Sequence, residues 1–206
     1  THFKSVYAGM GSFMLPVSMG EKYKAIVSTT EGIKKEFSLP EPEANRLALS
    51  ITERNGVIHY TILHTPQKKL SENLYLVAHI RGFLLFIQPI EKEQGAISLQ
   101  SVPEGILTLT LLDGNYLPHS ERLAFVRREN NSVWKLTPDK SSYGPRSPVS
   151  LDIHLSDLSG QPIKGNFSLS VTDNYAIGCD SIGDNILSNL LLTSDLKGYI
   201  ETPGYY

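Results

Sequence analysis

Along most of the chain apolar and polar residues alternate in short runs, and turn-forming residues interrupt those runs about every ten residues. A period of two is what an antiparallel sheet with one buried face requires, because successive side chains of a strand point to opposite sides. Residues 149–156 give the clearest instance: Val149, Leu151, Ile153 and Leu155 are predicted to face a core, and Ser150, Asp152, His154 and Ser156 to face water. A slip of one residue inverts that arrangement, so the register is determined. After a turn at Ser159-Gly160-Gln161-Pro162, Phe167, Leu169 and Val171 alternate with Ser168, Ser170 and Thr172, which predicts a neighbouring strand.

Upstream, residues 47–52 and 57–63 flank Arg54-Asn55-Gly56, and an Asn-Gly pair between alternating segments is a strong hairpin signal. Residues 74–80 and 83–90 flank Arg81-Gly82 in a second hairpin, and residues 106–112 lead through Asp113-Gly114-Asn115 toward 123–126. Six or seven strands fall between Leu47 and Val126 with no room for crossover helices, the strand density of an immunoglobulin-like sandwich. A further hairpin, 22–29 with 33–39 around Thr30-Glu31-Gly32, ends at Pro40-Glu41-Pro42, and a polar connector at 127–132 precedes a strand at 133–136. The division expected is therefore residues 1–42 completing a preceding domain, 43–130 a complete sandwich, and 131–206 a second, partial domain. One element departs from the β pattern: over 184–197, Leu187, Leu190, Leu191 and Ser194 share a helical face, Asp184 suits the N-cap and Gly198 the C′ position. The fold class predicted is all-β, tandem immunoglobulin-like antiparallel sandwiches with one short C-terminal helix.

Composition adds limits. The 206 residues are 40% hydrophobic and 19% charged, ordinary globular usage, so a folded chain with real cores is expected. The formal charge of −2 and the scattered pairs Lys34-Lys35, Lys68-Lys69 and Arg127-Arg128 argue against nucleic acid as a partner. The longest apolar run, 83–87, is far short of the ~20 residues of a membrane-spanning helix. Cys179, the one cysteine, excludes an internal disulfide, and no cofactor is predicted. With no initiator Met or signal sequence at its start, the chain reads as an excised fragment.

The signatures of a nucleophile elbow, a zincin helix, a P-loop and a dinucleotide turn are missing, and Gly9-Met10-Gly11-Ser12 lacks the helix that a phosphate loop needs. His59, His64 and His79 lie on predicted strands, and a metal across a sheet, or an enzyme pairing them with Glu53 or Asp113, is the less favoured reading beside ordinary half-exposed side chains. Cys179 has no base placed beside it and reads as a spectator thiol. Asn130-Asn131-Ser132 and Asn166-Phe167-Ser168 fit the glycosylation pattern but carry little weight. Tyr199, Tyr205 and Tyr206, beside Ile200 and Pro203, form an aromatic cluster that is either a partner-binding surface or packing beneath the helix.

Several stretches resemble a known family. Residues 7–13, Tyr23 and Phe37-Ser38-Leu39-Pro40 resemble the end of a macroglobulin-like domain in large Bacteroidetes-type cell-envelope proteins. Leu74-Tyr75-Leu76-Val77-Ala78, Pro103-Glu104-Gly105-Ile106 and Glu121-Arg122-Leu123-Ala124-Phe125-Val126 resemble the domain that follows it. The most specific stretches are Tyr143-Gly144-Pro145-Arg146, 167–173, 185–187 and 194–201. The resemblance implies sandwiches related to those of α2-macroglobulin, a periplasmic or outer-membrane-associated location, and a scaffold or interaction role. It also implies a parent protein often carrying a plug domain like that of TonB-dependent receptors. Partners so implied are neighbouring domains of the same parent protein and an envelope protein. The protease-trapping branch needs a Cys-Gly-Glu-Gln thioester, whereas Cys179 precedes Asp180, Ser181 and Ile182, so none is expected here. The function expected is a non-catalytic spacer or scaffold module; the alternatives are a glycan- or peptide-binding module and part of a macroglobulin-like protease inhibitor.

Overall fold

The computed structural model describes residues 11, 13–65, 73–128, 132–173, 175, 178 and 182–206. Gly9, Met10, Ser12, Cys179 and the Asn130-Asn131 pair lie outside the described residues. Among the described residues the chain is all-β apart from short helical segments near its C-terminal end. By its contacts it divides into two compact units, Thr1–Gln100 with Thr108–Leu123, and Ser101–Leu107 with Ala124–Tyr206.

The first unit opens with a hairpin, β1 (Lys24–Ser28) against β2 (Lys34–Ser38), in which Ala25 stands opposite Phe37. Then come β3 (Leu47–Arg54), β4 (Val57–His64), β5 (Tyr75–Ile80), β6 (Phe83–Pro89), β7 (Gln94–Ser98), β8 (Gly105–Leu112) and β9 (Pro118–Val126), of which residues 105–107 and 124–126 count with the second unit. They form a three-stranded sheet, β3-β4-β7, and a four-stranded sheet, β6-β5-β8-β9, so that β5, β7 and β8 each follow a crossing from one sheet to the other. That order is a Greek-key sandwich. Alternation drives it. Leu47, Leu49, Ile58, Tyr60, Ile62, Leu76, Ala78 and Ile80 sit at every second position of their strands and are all buried. A cluster of Leu47, Ile62, Leu74 and Leu111, with Ile90 against it, joins the inner faces of both sheets. The backbone N–H of Leu49 on edge strand β3 donates to Ser120 Oγ on edge strand β9 at 3.0 Å, which ties the two sheets at one side.

Two of the turns have the left-handed pairs that a two-residue hairpin demands: Asn55 and Gly56 at φ 52° and 73°, and Arg81 and Gly82 at φ 50° and 77°. The expected hairpins thus stand as read. Strand β7, which was not singled out in the sequence, pairs with β4 and sets Gly95 opposite Tyr60. Strand β6 is an edge of its sheet and leaves Phe83, Leu84 and Ile87 exposed.

The second unit holds the hairpin β10 (Ser132–Pro138) against β11 (Leu151–Asp157), with Trp134 opposite Leu155 and Leu136 opposite Ile153. Here two expectations are corrected. The strand begins at Leu151, and Val149 lies before it and is exposed. Residues 167–171 form no strand: Phe167, Leu169 and Val171 are all exposed, and the chain runs along β11 only as far as the bridge of Pro162 to Ser156 and the bond from Ile163 N–H to Leu155 O at 3.1 Å. Alternating side chains satisfy only half of what a strand needs; the backbone must also find a ladder, and the contact that Phe167 makes is edge-on with the Trp134 ring at 6.0 Å.

The helix is also corrected. In place of a three-turn helix over 184–197, α1 (Ile186–Ser188) runs directly into a π-helical turn, Asn189–Thr193. Its N-cap is Asn185, not Asp184: Asn185 Oδ1 accepts from the N–H of Leu187 and of Ser188, and Ser188 Oγ accepts from Asn185 N–H, a capping box. Asp184 instead accepts from the hydroxyls of Ser188 and Thr193 and from Asn189 Nδ2. The wider π turn shifts the buried stripe to Ser188 and Leu192, leaving Leu187 and Leu190 exposed. Gly198 does adopt positive φ, at 95°, but beyond the helix end. Among the described residues no helix is long and apolar enough to cross a membrane.

Candidate loop-end site

The buried cluster around Leu47, Ile62, Leu74, Ile90 and Leu111 brings the start of β3, the ends of β4, β6 and β8 and the start of β5 to one end of the sandwich. The polar and aromatic groups of greatest interest in the first unit gather there. The connection from β8 to β9 is built on Asp113. Its Oδ1 accepts from the N–H of Asn115 at 2.8 Å and of Leu117 at 3.1 Å. Its own N–H donates to Leu117 O, and its carbonyl accepts from Tyr116 N–H at 2.9 Å. The second carboxylate oxygen lies 3.2 Å from His119 Nε2. An Asp placed ahead of Gly114-Asn115 folds the chain this way because its short side chain reaches the backbone two residues on.

These bonds hold the Asp113 carboxyl below its usual value of 3.8: the N–H of Leu117 contributes most, then that of Asn115, with His119 adding less. The same direction holds for Asp139, through the Tyr143 hydroxyl; for Asp157, through the Ser159 hydroxyl; and for Asp184, through the Ser188 hydroxyl. A carboxyl whose folded pKa is depressed contributes stability that is present above its unfolded pKa and is lost as pH falls through the folded one. Stability is therefore expected to be flat near neutrality and to decline as pH drops through 3.8 and below. Urea unfolding at a series of pH values checks this, and Asp113→Asn is expected to make the acid-side decline shallower.

The turn carries Tyr116 at φ 61°, a conformation that glycine and asparagine adopt readily and tyrosine does not. Its ring stacks on Tyr75 at the start of β5, with centroids 5.5 Å apart and planes 29° from parallel. Gly114 lets the turn approach Asn73, since a Cβ there would stand 3.1 Å from the Asn73 Cβ. Nearby in the fold, at the end of β4, His64 Nε2 lies 3.4 Å from Glu93 Oε1.

The structure does not gather the three strand histidines. His59 and His64 occupy opposite faces of β4, and His79 belongs to β5 in the other sheet. Glu53 accepts from Gly56 N–H at 2.7 Å within the β3–β4 turn, and the partner of Asp113 is His119. The carboxylates weighed for catalysis thus hold turns. Asn166 is exposed. Of the tyrosines, Tyr205 and Tyr206 meet edge to face at 5.4 Å, and the Tyr206 backbone oxygen accepts from Arg127 Nη1 at 2.7 Å. Tyr206 lines a hollow with Phe125, Arg127, Leu191, Leu192 and Pro203, whereas Tyr199 is almost fully exposed and borders a different hollow with Asp184 and Thr193. The Tyr75–Tyr116 stack and the Asp113–His119 pair escaped the sequence reading. The Asp-Gly-Asn turn announced the loop but not the tyrosine across from it.

No protein-family model matches the chain, and no curated protein matches it.

Proposed function

We propose that the chain is a non-catalytic structural and interaction module of a larger bacterial cell-envelope protein, a β-sandwich scaffold that acts as a spacer and holds loops in fixed shapes for contact. The observation that carries this reading is the use of the best hydrogen-bonded carboxylates. Asp113 and Asp157 each accept at least two backbone N–H bonds from their own loops, Asp139 accepts Ser150 N–H and the Tyr143 hydroxyl, and Asp184 gathers three side chains of the helical segment. Groups so engaged fix shape. The macroglobulin resemblance of residues 74–78, 143–146 and 194–201 supports the envelope location and the neighbouring domains as partners.

Fractionation of cells that make the parent protein, followed with an antibody raised to this chain, tests the location: recovery with envelope membranes or periplasm is expected, and recovery in the cytosol sinks it. A second reading, a glycan- or peptide-binding module, is favoured by the exposed Tyr116 stacked on Tyr75 at the loop end. A thermal-unfolding scan with oligosaccharides and short peptides separates the two, since a ligand at about 100 times its Kd adds about 2.7 kcal/mol. The spacer reading expects no saturable shift.

A further inference from the structure

The Asp113 turn asks nothing of Tyr116 beyond its backbone N–H, which any residue but proline supplies. Its left-handed φ of 61° makes tyrosine one of the poorer choices for that position. Yet the ring is there, 63% exposed, and steadied on one side by Tyr75. Leu117, also exposed, follows it, and the exposed Asn115 precedes it. A residue that strains the backbone and leaves its ring in water serves something outside the turn.

We infer that the Tyr116 ring, propped against Tyr75 at the loop end of the sandwich, is a stacking platform for a neutral sugar ring of a glycan. This rests on the ligand-binding reading and names its ligand class. The chemistry matches in two respects. A pyranose presents a face of C–H groups that packs on the electron-rich face of an aromatic ring, while its hydroxyls at the rim meet groups such as the Asn115 amide and the tyrosine phenol, which both donate and accept. Among the described residues the one carboxylate in the turn, Asp113, directs its oxygens at Asn115, Leu117 and His119, so it is not free to select a charged ligand. A peptide that adds to a sheet does so through a backbone ladder at a strand edge, and Tyr116 stands on a turn instead.

The test titrates neutral β-linked hexaoses of glucose and of N-acetylglucosamine, and separately a mixture of uncharged hexapeptides, into the isotopically labelled chain, following its amide NMR signals. Binding of a hexaose is expected to move the signals of Tyr75 and of residues 115–117. Tyr116→Gly, which removes the ring and relieves the backbone, is expected to weaken that binding about tenfold or more with little change in Tm, while Tyr116→Phe retains it. Hexaose binding that Tyr116→Gly leaves unchanged, or that moves other signals, overturns this site but keeps the ligand-binding reading. Response to the peptides alone overturns the glycan class, and a steep fall in Tm of Tyr116→Gly assigns the ring to the fold and overturns the platform. Silence with both probes overturns this inference and the ligand-binding reading together.

Discussion

Leu109→Ala is expected to lower the unfolding free energy by about 3 kcal/mol, within a range of about 2–5 kcal/mol for buried leucines. Leu109 is wholly buried on β8, a central strand with β5 and β9 as its neighbours. Truncation removes the transfer free energy of the lost methyl groups and leaves a cavity that two sheets, each fixed by its ladder, close only in part. Urea unfolding gives the measurement: the midpoint should fall with the slope unchanged. Leu117→Ala, at an exposed position, is the control and should stay within about 0.5 kcal/mol. Equal, small losses at both positions would mean that β8 is not the centre of the core.

Gly95→Ala carries the second large effect. In the β4–β7 ladder Gly95 stands opposite Tyr60, whose ring lies across the glycine, so that an added Cβ falls inside the space of the phenol. Tyr60 is itself 93% buried from solvent by the measure of its 7% exposure, and that burial raises the pKa of its hydroxyl. The ring cannot swing away without opening the core, and overpacking of this kind costs about 1–3 kcal/mol. The same measurement applies, and the double variant Gly95→Ala/Tyr60→Ala should cost less in total than the two single changes added together, because removing the phenol relieves the clash that the new Cβ makes. Strict additivity would separate the two residues.

These two positions show where the sequence was legible. The hairpins around Asn55-Gly56 and Arg81-Gly82 could be read because turn chemistry is local: the residues that take φ above zero are adjacent to the strands they join. Leu109 could be placed in a core by alternation alone. Gly95 could not, since its meaning depends on Tyr60 across a ladder, and β7 is a short strand with little apolar pattern of its own. Residues 167–171 failed for the opposite reason: their alternation is clear, but nothing in a sequence reports whether a neighbouring backbone stands ready to pair. At the helix, adjacent Asp184 and Asn185 are both suitable caps, and the choice between them was settled by Ser188, which bonds to each. The candidate site divides the same way. Asp113-Gly114-Asn115 announced a turn, whereas the tyrosine stack joins the start of β5 to the β8–β9 turn and had no local signature.

The apolar margin at β6 bears on how the molecule behaves in company. Most soluble proteins guard the outermost strand of a sheet with a lysine, a proline within the strand or a covering segment. Here residues 83–87 carry no charge, and among the described residues two irregularities interrupt the edge: a register shift that leaves Leu85 unmatched between Leu84, opposite His79, and Phe86, opposite Ala78, and Pro89 at the far end. Pro89 withholds an amide where the strand stops, and the shift at Leu85 kinks the strand itself, so an incoming chain finds only a short regular stretch to zip against. Regularising either one is expected to lengthen the exposed stretch of edge and make the strand more prone to pair with another chain.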